Sequence, residues 1–186
     1  MVGPGTEGTR HGIEAWLREG LLLEKYRYAP GPAEELPKHS HEEYQICLSL
    51  DFPGVYGYRG TNHPVPVGSL SIIHPGEVHS ARDPEDRLTS SSFRMMYAKP
   101  ALLGEAATAV AGRPEVPPFF RDPIILDRDL AWDFLRLHVA LEGAAPRLEQ
   151  DTRLLRMLTR LVERHAGVRP SPPPALRRRP PGSAGP

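Results

Sequence analysis

The clearest pattern along the chain is a series of short apolar runs interrupted by turn residues between Pro37 and Tyr97. The runs are rich in β-branched and aromatic residues, and clusters such as Pro53-Gly54 and Gly60-Thr61-Asn62 separate them. Short strands at this spacing are typical of an antiparallel sandwich or barrel, and a barrel also removes exposed edges. The pattern therefore predicts a mainly β domain, a β-barrel over residues 13–97.

The residues before this β pattern give a weaker signal. Residues 1–12 contain four glycines and little that can pack, which predicts a flexible N-terminal arm. Between Glu14 and Tyr28 the apolar residues mix helical and strand spacing. A short helix or turn that leads into a first strand is therefore expected there.

After the β region the hydrophobic period becomes that of helices. Residues 100–111 begin with a proline and are followed by a glycine, which predicts a short helix. Apolar residues recur at steps of three and four over 130–141, after Asp127 as a candidate cap, which predicts an amphipathic helix. A partner helix is predicted from about residue 146 to residue 166 and completes an antiparallel pair.

The leucine stripe of this helix pair must be buried, because it is too apolar to face water. It can pack on the barrel, on a second copy of the chain, or on both, and packing on both is the favoured interpretation. Homodimerisation is predicted to use Leu154, Leu155, Leu158, Leu161 and Val162. The helical segment as a whole spans 98–167, and residues 168–186, rich in Pro and Arg, are predicted to be a disordered tail.

Composition narrows the setting in which such a domain works. The 186 residues contain 23 Lys and Arg and 23 Asp and Glu, so the formal net charge is zero and no long-range field gathers nucleic acid. The single cysteine, Cys47, cannot form an internal disulfide, which favours a reducing cytoplasm. Neither a signal peptide nor a transmembrane helix is predicted, so no membrane partner is expected.

Candidate chemistry is concentrated in two histidine motifs. His39-Ser40-His41 precedes the first central run, and His74-Pro75-Gly76-Glu77-Val78-His79 follows it some thirty-five residues later. Residues two apart in a strand point to the same side, so His39 and His41 are expected to lie on one face. The Pro-Gly bend can return His79 towards them, and such a cluster can hold a metal or a polar ligand.

The spacing His-x-His, then Gln45, then Pro-Gly-x-x-His resembles the two signature motifs of the cupin superfamily. The resemblance implies a cupin-like antiparallel β-barrel, a double-stranded β-helix, with a metal held by His39, His41, His79 and the residue at Gln45. Cupins have a Glu at that last position, and a neutral amide oxygen is a poorer metal ligand than a carboxylate. Three imidazoles must then supply most of the affinity for Zn, Ni, Fe or Mn, unless Glu43 stands in. Alternatively, the histidines line a pocket without a metal.

A longer resemblance covers about residues 24–166. The run from Pro37 to Ile46, the Tyr58-Arg59-Gly60 turn, the segment from Ile73 to Ser80 and the closing helices look like the N-terminal sensing domain of AraC-family transcription regulators. This resemblance implies that the barrel binds a small effector, that the helices dimerise, and that Tyr44, Tyr56 and Tyr58 wall the ligand site beside the histidines and Gln45.

In the AraC family a C-terminal domain with two helix-turn-helix units binds DNA. The twenty residues after Ala166 are too few and too rich in proline for one such unit, so no direct sequence-specific DNA binding by this chain is expected. The sequence thus predicts the effector-sensing and dimerisation domain of an AraC-family regulator, not an enzyme. The alternatives are a small metal-dependent cupin enzyme, a dioxygenase or isomerase, and a dimerisation module with a vestigial pocket.

Overall fold

The computed structural model describes residues 12–168, which form two antiparallel β-sheets and three helices. The strands are β1 (Gly12–Arg18), β2 (Leu21–Tyr28), β3 (Glu35–His39), β4 (Tyr44–Ser49), β5 (Gly54–Tyr58), β6 (Thr61–Val65), β7 (Leu70–Ile73), β8 (His79–Arg82), β9 (Ser91–Ala98) and β10 (Ile124–Ile125). One sheet has the order β1-β2-β9-β4-β7-β10 and the other β3-β8-β5-β6. The predicted cupin-like, mainly β architecture followed by helices is confirmed, with two separate sheets in place of one closed cylinder.

No helix forms between Glu14 and Tyr28; a strand takes its place, and a turn leads into the next strand. Strands β1 and β2 form an antiparallel hairpin in which Trp16 pairs with Leu23. The chain reverses through Gly20, whose φ of +72° is a conformation that glycine adopts without strain. The hairpin joins the six-stranded sheet because β2 pairs with β9, so β1 forms one edge of that sheet.

The three helices lie where the sequence predicts them. They are α1 (Pro100–Ala111), α2 (Arg128–Glu142) and α3 (Arg147–His165). The carboxylate of Asp127 accepts a hydrogen bond from the Leu130 amide at 3.0 Å and caps α2. Helix α3 packs antiparallel to α2 and also contacts α1.

The main hydrophobic core lies between the six-stranded sheet and the helices. Ile46, Leu48 and Met96 from the sheet share this core with Phe134 and Leu161 from the helices. A smaller apolar cluster, which includes Tyr56, Tyr58 and Val65, lies among the strands themselves. Strand β4 is buried on both faces because one face meets the helices and the other faces the second sheet.

Most of the leucines predicted to dimerise pack inside the chain. Leu158, Leu161 and Val162 are each at most 3% exposed, and Leu154 packs against the same core. Only Leu155 projects outwards, with 56% of its surface exposed. These placements correct the expected dimer surface, since three of its five residues are already occupied by the helices and the sheet.

The predicted arm and tail fall largely on residues 1–11 and 169–186, which lie outside the described residues. Within residues 12–168 no helix has the length and apolar character needed to cross a bilayer.

Candidate functional site

A cavity of about 160 Å³ lies between the two sheets. Strands β2, β4 and β9 supply one wall, and β3, β5 and β8 supply the other. Its volume is similar to the ~150 Å³ of an engineered protein cavity that binds benzene. The cavity is therefore large enough for a small ring compound.

The three predicted histidines come together; His39 and His79 line one end of this cavity, whereas His41 lines a neighbouring surface groove. The ring centroids of His39 and His79 are 4.2 Å apart, and those of His41 and His79 are 5.0 Å apart. His39 ends β3 and pairs with His79, the first residue of β8, across the four-stranded sheet. His79 is 1% exposed, whereas His39 lies at the exposed rim.

His39 and His41 do not lie in one regular strand, although strand periodicity predicts that they do. Strand β3 ends at His39, and its register with β8 shifts between Leu36 and His39. His41 follows in a loop, and its carbonyl accepts a hydrogen bond from the Gly76 amide at 2.7 Å. This bond ties the first histidine motif to the second, which brings the imidazoles together without a regular strand.

Each imidazole is oriented by a backbone carbonyl two residues away. The Nδ1 atom of His39 lies 2.9 Å from the Pro37 oxygen, and that of His79 lies 3.1 Å from the Glu77 oxygen. The Nδ1 atom of His41 lies 2.7 Å from the oxygen of Glu43. Burial, followed by the charges of His39 and His41, lowers the pKa of His79, so this ring is neutral at pH 7.

Gln45 connects the histidines to the far wall of the cavity. One end of its amide lies 3.1 Å from His41 Nε2 and the other end lies 3.2 Å from the Tyr56 hydroxyl. Gln45 is 3% exposed and lines the cavity. A buried amide with partners at both ends holds its neighbours in place, which accounts for a Gln here as a structural part of a ligand site.

Two of the three predicted tyrosine walls are elsewhere. Tyr44 lies on the opposite face of β4 from Gln45, in the core beneath the helices, and its hydroxyl donates to the Pro118 oxygen at 2.7 Å. Tyr58 is buried, but its hydroxyl contacts His74 and Glu77 and its ring does not line the cavity. Of the three tyrosines, Tyr56 takes the predicted place in the cavity wall.

Among the described residues the predicted metal set is not arranged as a metal site. Among residues 12–168 no three His, Cys, Asp or Glu side chains are grouped so that they can hold one. The amide of Gln45 already contacts His41 and Tyr56, and Glu43, the alternative carboxylate, lines a neighbouring surface groove with His41. The predicted metal set of His39, His41, Gln45 and His79 therefore remains an expectation without structural support.

Sequence reasoning missed an aromatic wall opposite the histidine strands. Tyr26 and Phe93 stack with centroids 4.7 Å apart, and Phe93 and Tyr28 stack at 5.5 Å. All three rings line the cavity, together with Tyr97. The spacing of two between Tyr26 and Tyr28 is a strand signal that would have placed both on one face, if the region had been interpreted as a strand.

The end of the cavity away from the histidines is closed by a buried arginine. Arg87 is 3% exposed, and its Nη2 donates to Glu34 at 2.7 Å while its Nη1 donates to Asp83. Its Nε donates to the Ala29 oxygen at 3.3 Å, and its guanidinium carbon lies 4.9 Å from the centroid of Tyr28. Arg87 thereby fastens the loop before β9 to the chain after β2.

Comparison with known proteins agrees with a pocket of this kind. The family model for the AraC-like ligand binding domain matches residues 24–158, which include both sheets apart from β1 and most of the helical segment. The chain belongs to the AraC-like ligand-binding domain family. This domain family accounts for the order in which the strands, the cavity and the helices occur.

Several solved structures are similar to this AraC-like domain. The AraC-like transcriptional activator CuxR matches with a TM-score of 0.58 and 16% identity over 91% of this chain and 62% of its own. A cupin superfamily protein from Desulfitobacterium hafniense has a TM-score of 0.40 and 9% identity over 48% of this chain and 78% of its own. A predicted oxalate decarboxylase from Thermotoga maritima has a TM-score of 0.41 and 21% identity over 48% and 80%. No curated protein matches the chain.

Proposed function

We propose that this AraC-like domain senses a small molecule in the cavity between its sheets, as part of a transcription regulator that works in the cytoplasm. The observation that carries the proposal is the buried Nε2 of His79, which has no hydrogen-bond partner among the described residues and lies beside the cavity. A buried polar atom without a partner costs free energy that a ligand can recover. The buried, unpaired Cys47 agrees with a reducing compartment.

Strand β9 provides the physical connection between the cavity and the helices. Phe93 and Met95 line the cavity, whereas Arg94, between them, points to the helix side. The Arg94 guanidinium donates to Glu142, near the end of α2, at 2.9 Å. Lys25 on β2 contacts the same carboxylate. A ligand that shifts β9 or β2 therefore changes the docking of α2 directly, which is how an occupied cavity would alter the helical segment.

Filling the cavity is expected to abolish ligand binding without unfolding the domain. Ala81 on β8 lines the cavity and is half-buried, so Ala81→Leu places three extra carbon atoms into empty space. We expect a ligand found by thermal-shift screening of small ring compounds to bind this variant at least about tenfold more weakly, while the melting temperature stays close to that of the wild type. A ligand at ~100 times its dissociation constant adds roughly 2.7 kcal/mol of stability, which a thermal shift detects.

The matched control is Ala101→Leu, the same substitution at an exposed position of α1. It should leave both affinity and melting temperature unchanged. If Ala81→Leu binds the ligand as tightly as Ala101→Leu, the ligand does not occupy this cavity, and the proposed sensing function loses its basis.

A metal-dependent cupin enzyme, a dioxygenase or isomerase, is the second candidate, and the convergence of three imidazoles favours it. The decisive measurement is the metal content of untagged protein. Near-stoichiometric metal that is lost in His39→Ala and His79→Ala, together with turnover of a small substrate, would establish the enzyme. Protein that binds a small molecule without a metal supports the sensor.

Dimerisation, if it uses α3, must use the face that the monomer leaves exposed. Leu155 and Leu148 are 56% and 78% exposed and lie seven residues apart on one side of the helix. We expect Leu155→Glu to lower the dimer fraction in sedimentation without changing the melting temperature. Leu158→Asp would unfold the protein instead, because Leu158 is 3% exposed in the core.

Val116→Glu is the control for this experiment, since Val116 is 76% exposed in the segment between α1 and α2. An equal dimer fraction in Leu155→Glu, Val116→Glu and the wild type would move the interface away from α3.

A further inference from the structure

The Nδ1 atom of each imidazole of the site faces a backbone carbonyl. A carbonyl oxygen only accepts, so each Nδ1 that meets one must carry the proton and donate it. This holds for His39 with Pro37 at 2.9 Å, for His41 with Glu43 at 2.7 Å and for His79 with Glu77 at 3.1 Å. The pKa of His79 is lowered by its burial, so the Nε2 atom of this ring is an acceptor.

Gln45 occupies the Nε2 atom of His41. Gln45 Oε1 lies 3.1 Å from His41 Nε2, and the NH2 group of the same amide donates to the Tyr56 hydroxyl at 3.2 Å. His79 Nε2 is buried and has no partner among the described residues. His39, whose ring lies 4.2 Å from that of His79, presents a second acceptor at the rim.

Few cations among the described residues line the cavity. They are two arginines, Arg82 and Arg87. The nitrogens of Arg87 donate to Glu34, Asp83 and the Ala29 carbonyl, while Arg82 is exposed at the end of β8. A carboxylate placed beside the Nε2 atom of His79 would meet a lone pair and would leave that atom without a donor.

The rest of the wall is apolar and suited to a ring. Tyr26, Tyr28 and Phe93 form a stack along it, with interplanar angles of 13° and 22° between adjacent rings, and Met95 and Val65 contribute aliphatic surface. Aromatic side chains bind the faces of both sugars and aromatic rings by burying their C–H and π surfaces.

We propose that the ligand is a neutral ring bearing hydroxyl groups on one edge, which donate to the Nε2 atoms of His79 and His39 while the ring lies along the aromatic wall. This proposal rests on the sensing function above and adds the ligand class. Its decisive feature is the polarity of the hydrogen bonds: the site offers lone pairs, so the ligand supplies the protons.

The test is isothermal titration calorimetry on the full chain. Catechol, myo-inositol and benzoate are titrated with EDTA present, and Zn²⁺ is titrated in a separate run without EDTA. Catechol and inositol separate an aromatic from a saturated source of the same hydroxyl chemistry, and benzoate offers a ring with acceptors only. We expect binding by catechol or inositol and none by benzoate. In His79→Phe, which keeps a ring but removes the acceptor, binding should weaken at least about tenfold.

His63→Phe is the matched control, because His63 is a half-exposed histidine on β6 that does not line the cavity. It should bind the hydroxylated ring as the wild type does. Binding of benzoate in preference to both hydroxylated rings would overturn the ligand class and leave the sensing function intact. Binding of Zn²⁺ that His79→Phe removes, with neither hydroxylated ring bound, overturns the class in favour of a metal. If no probe binds and Ala81→Leu also leaves every thermal-shift ligand unaffected, the sensing function fails as well.

Discussion

Acidification from pH 7 to about pH 4 is expected to lower the free energy of unfolding by several kcal/mol. Two buried histidines carry the effect: burial, then the charge of Arg59, lowers the pKa of His74 from 6.5 to about 4, and burial, then the charge of Arg94, lowers the pKa of His138 to about 3. The unfolded chain takes up protons near pH 6.5, whereas the folded chain does not until the lower pKa values are reached. Stability is therefore complete above pH 6.5 and is lost as the pH falls through this window.

The expected size follows from the shifts. Each unit of pKa difference between the folded and unfolded chain corresponds to 1.36 kcal/mol. Full protonation of His74 therefore lowers the free energy of unfolding by up to about 3 kcal/mol, and that of His138 by up to about 5 kcal/mol. Urea unfolding at pH 7, 6, 5 and 4.5 measures the loss. A free energy of unfolding that stays constant from pH 7 to pH 4.5 would show that neither ring is buried in its neutral form.

Variants separate the two histidines, because their surroundings differ. His138 is fully buried beside Phe134, and neither ring nitrogen has a partner among the described residues. His138→Leu should therefore reduce the acid loss and raise stability at pH 7 by about 1–2 kcal/mol, since it removes an unsatisfied polar group.

His74, by contrast, has partners on both sides. Its Nε2 accepts the Phe120 amide at 2.9 Å, and its Nδ1 lies 3.0 Å from the Tyr58 hydroxyl and 2.8 Å from Arg59. His74→Leu should reduce the acid loss as well, but lower stability at pH 7 by about 1–3 kcal/mol because the Phe120 amide loses its acceptor. His63→Leu, at a half-exposed ring, is the matched histidine control for both variants.

Replacing Arg87 with Met is expected to lower the free energy of unfolding by about 3 kcal/mol. The side chain is 2% exposed and bonds to Glu34, Asp83 and the carbonyl of Ala29, so its loss leaves two carboxylates without their cation. Because these contacts close one end of the cavity, the same variant should also bind the ligand more weakly. The stability of Arg87→Lys should lie between those of the wild type and Arg87→Met, since Lys keeps the positive charge but not the planar guanidinium.

Guanidinium unfolding and ligand titration on the same preparations measure both effects. The control is Arg113→Met, which removes an arginine whose side chain is 68% exposed and pairs with Glu115 at the surface. A surface pair of this kind contributes about 0–1 kcal/mol. Equal stability of the Arg87 and Arg113 variants would refute the role assigned to the buried cation.

The helices could be predicted closely from sequence because local chemistry sets their ends. Pro100 at the start of α1, Asp127 before α2 and Gly167 after α3 act within one turn of the helix that they bound. The β1–β2 hairpin could not be predicted in this way. Strand β1 is largely exposed, and β2 packs apolar residues on both of its faces, with Leu23 in the core beneath the helices and Tyr26 in the cavity wall, so the apolar residues do not alternate cleanly.

The candidate site was predictable in part for a similar reason. His39, His41 and His79 lie in short motifs around a turn, so their spacing along the chain indicates their convergence. Tyr26 and Phe93 are partners only because β2 pairs with β9, some sixty-five residues apart, and no local signal records that pairing. The correct face of Tyr44 likewise depends on where the helices pack.

The sequence by itself determined the central strands, the helix ends and the identity of the three imidazoles, because these depend on residues close together in the chain. Tertiary structure alone decided the first hairpin, which tyrosines wall the cavity and which leucines remain at the surface. Those properties arise from contacts between distant segments: strands that pair across the sheet and helices that cover one of its faces.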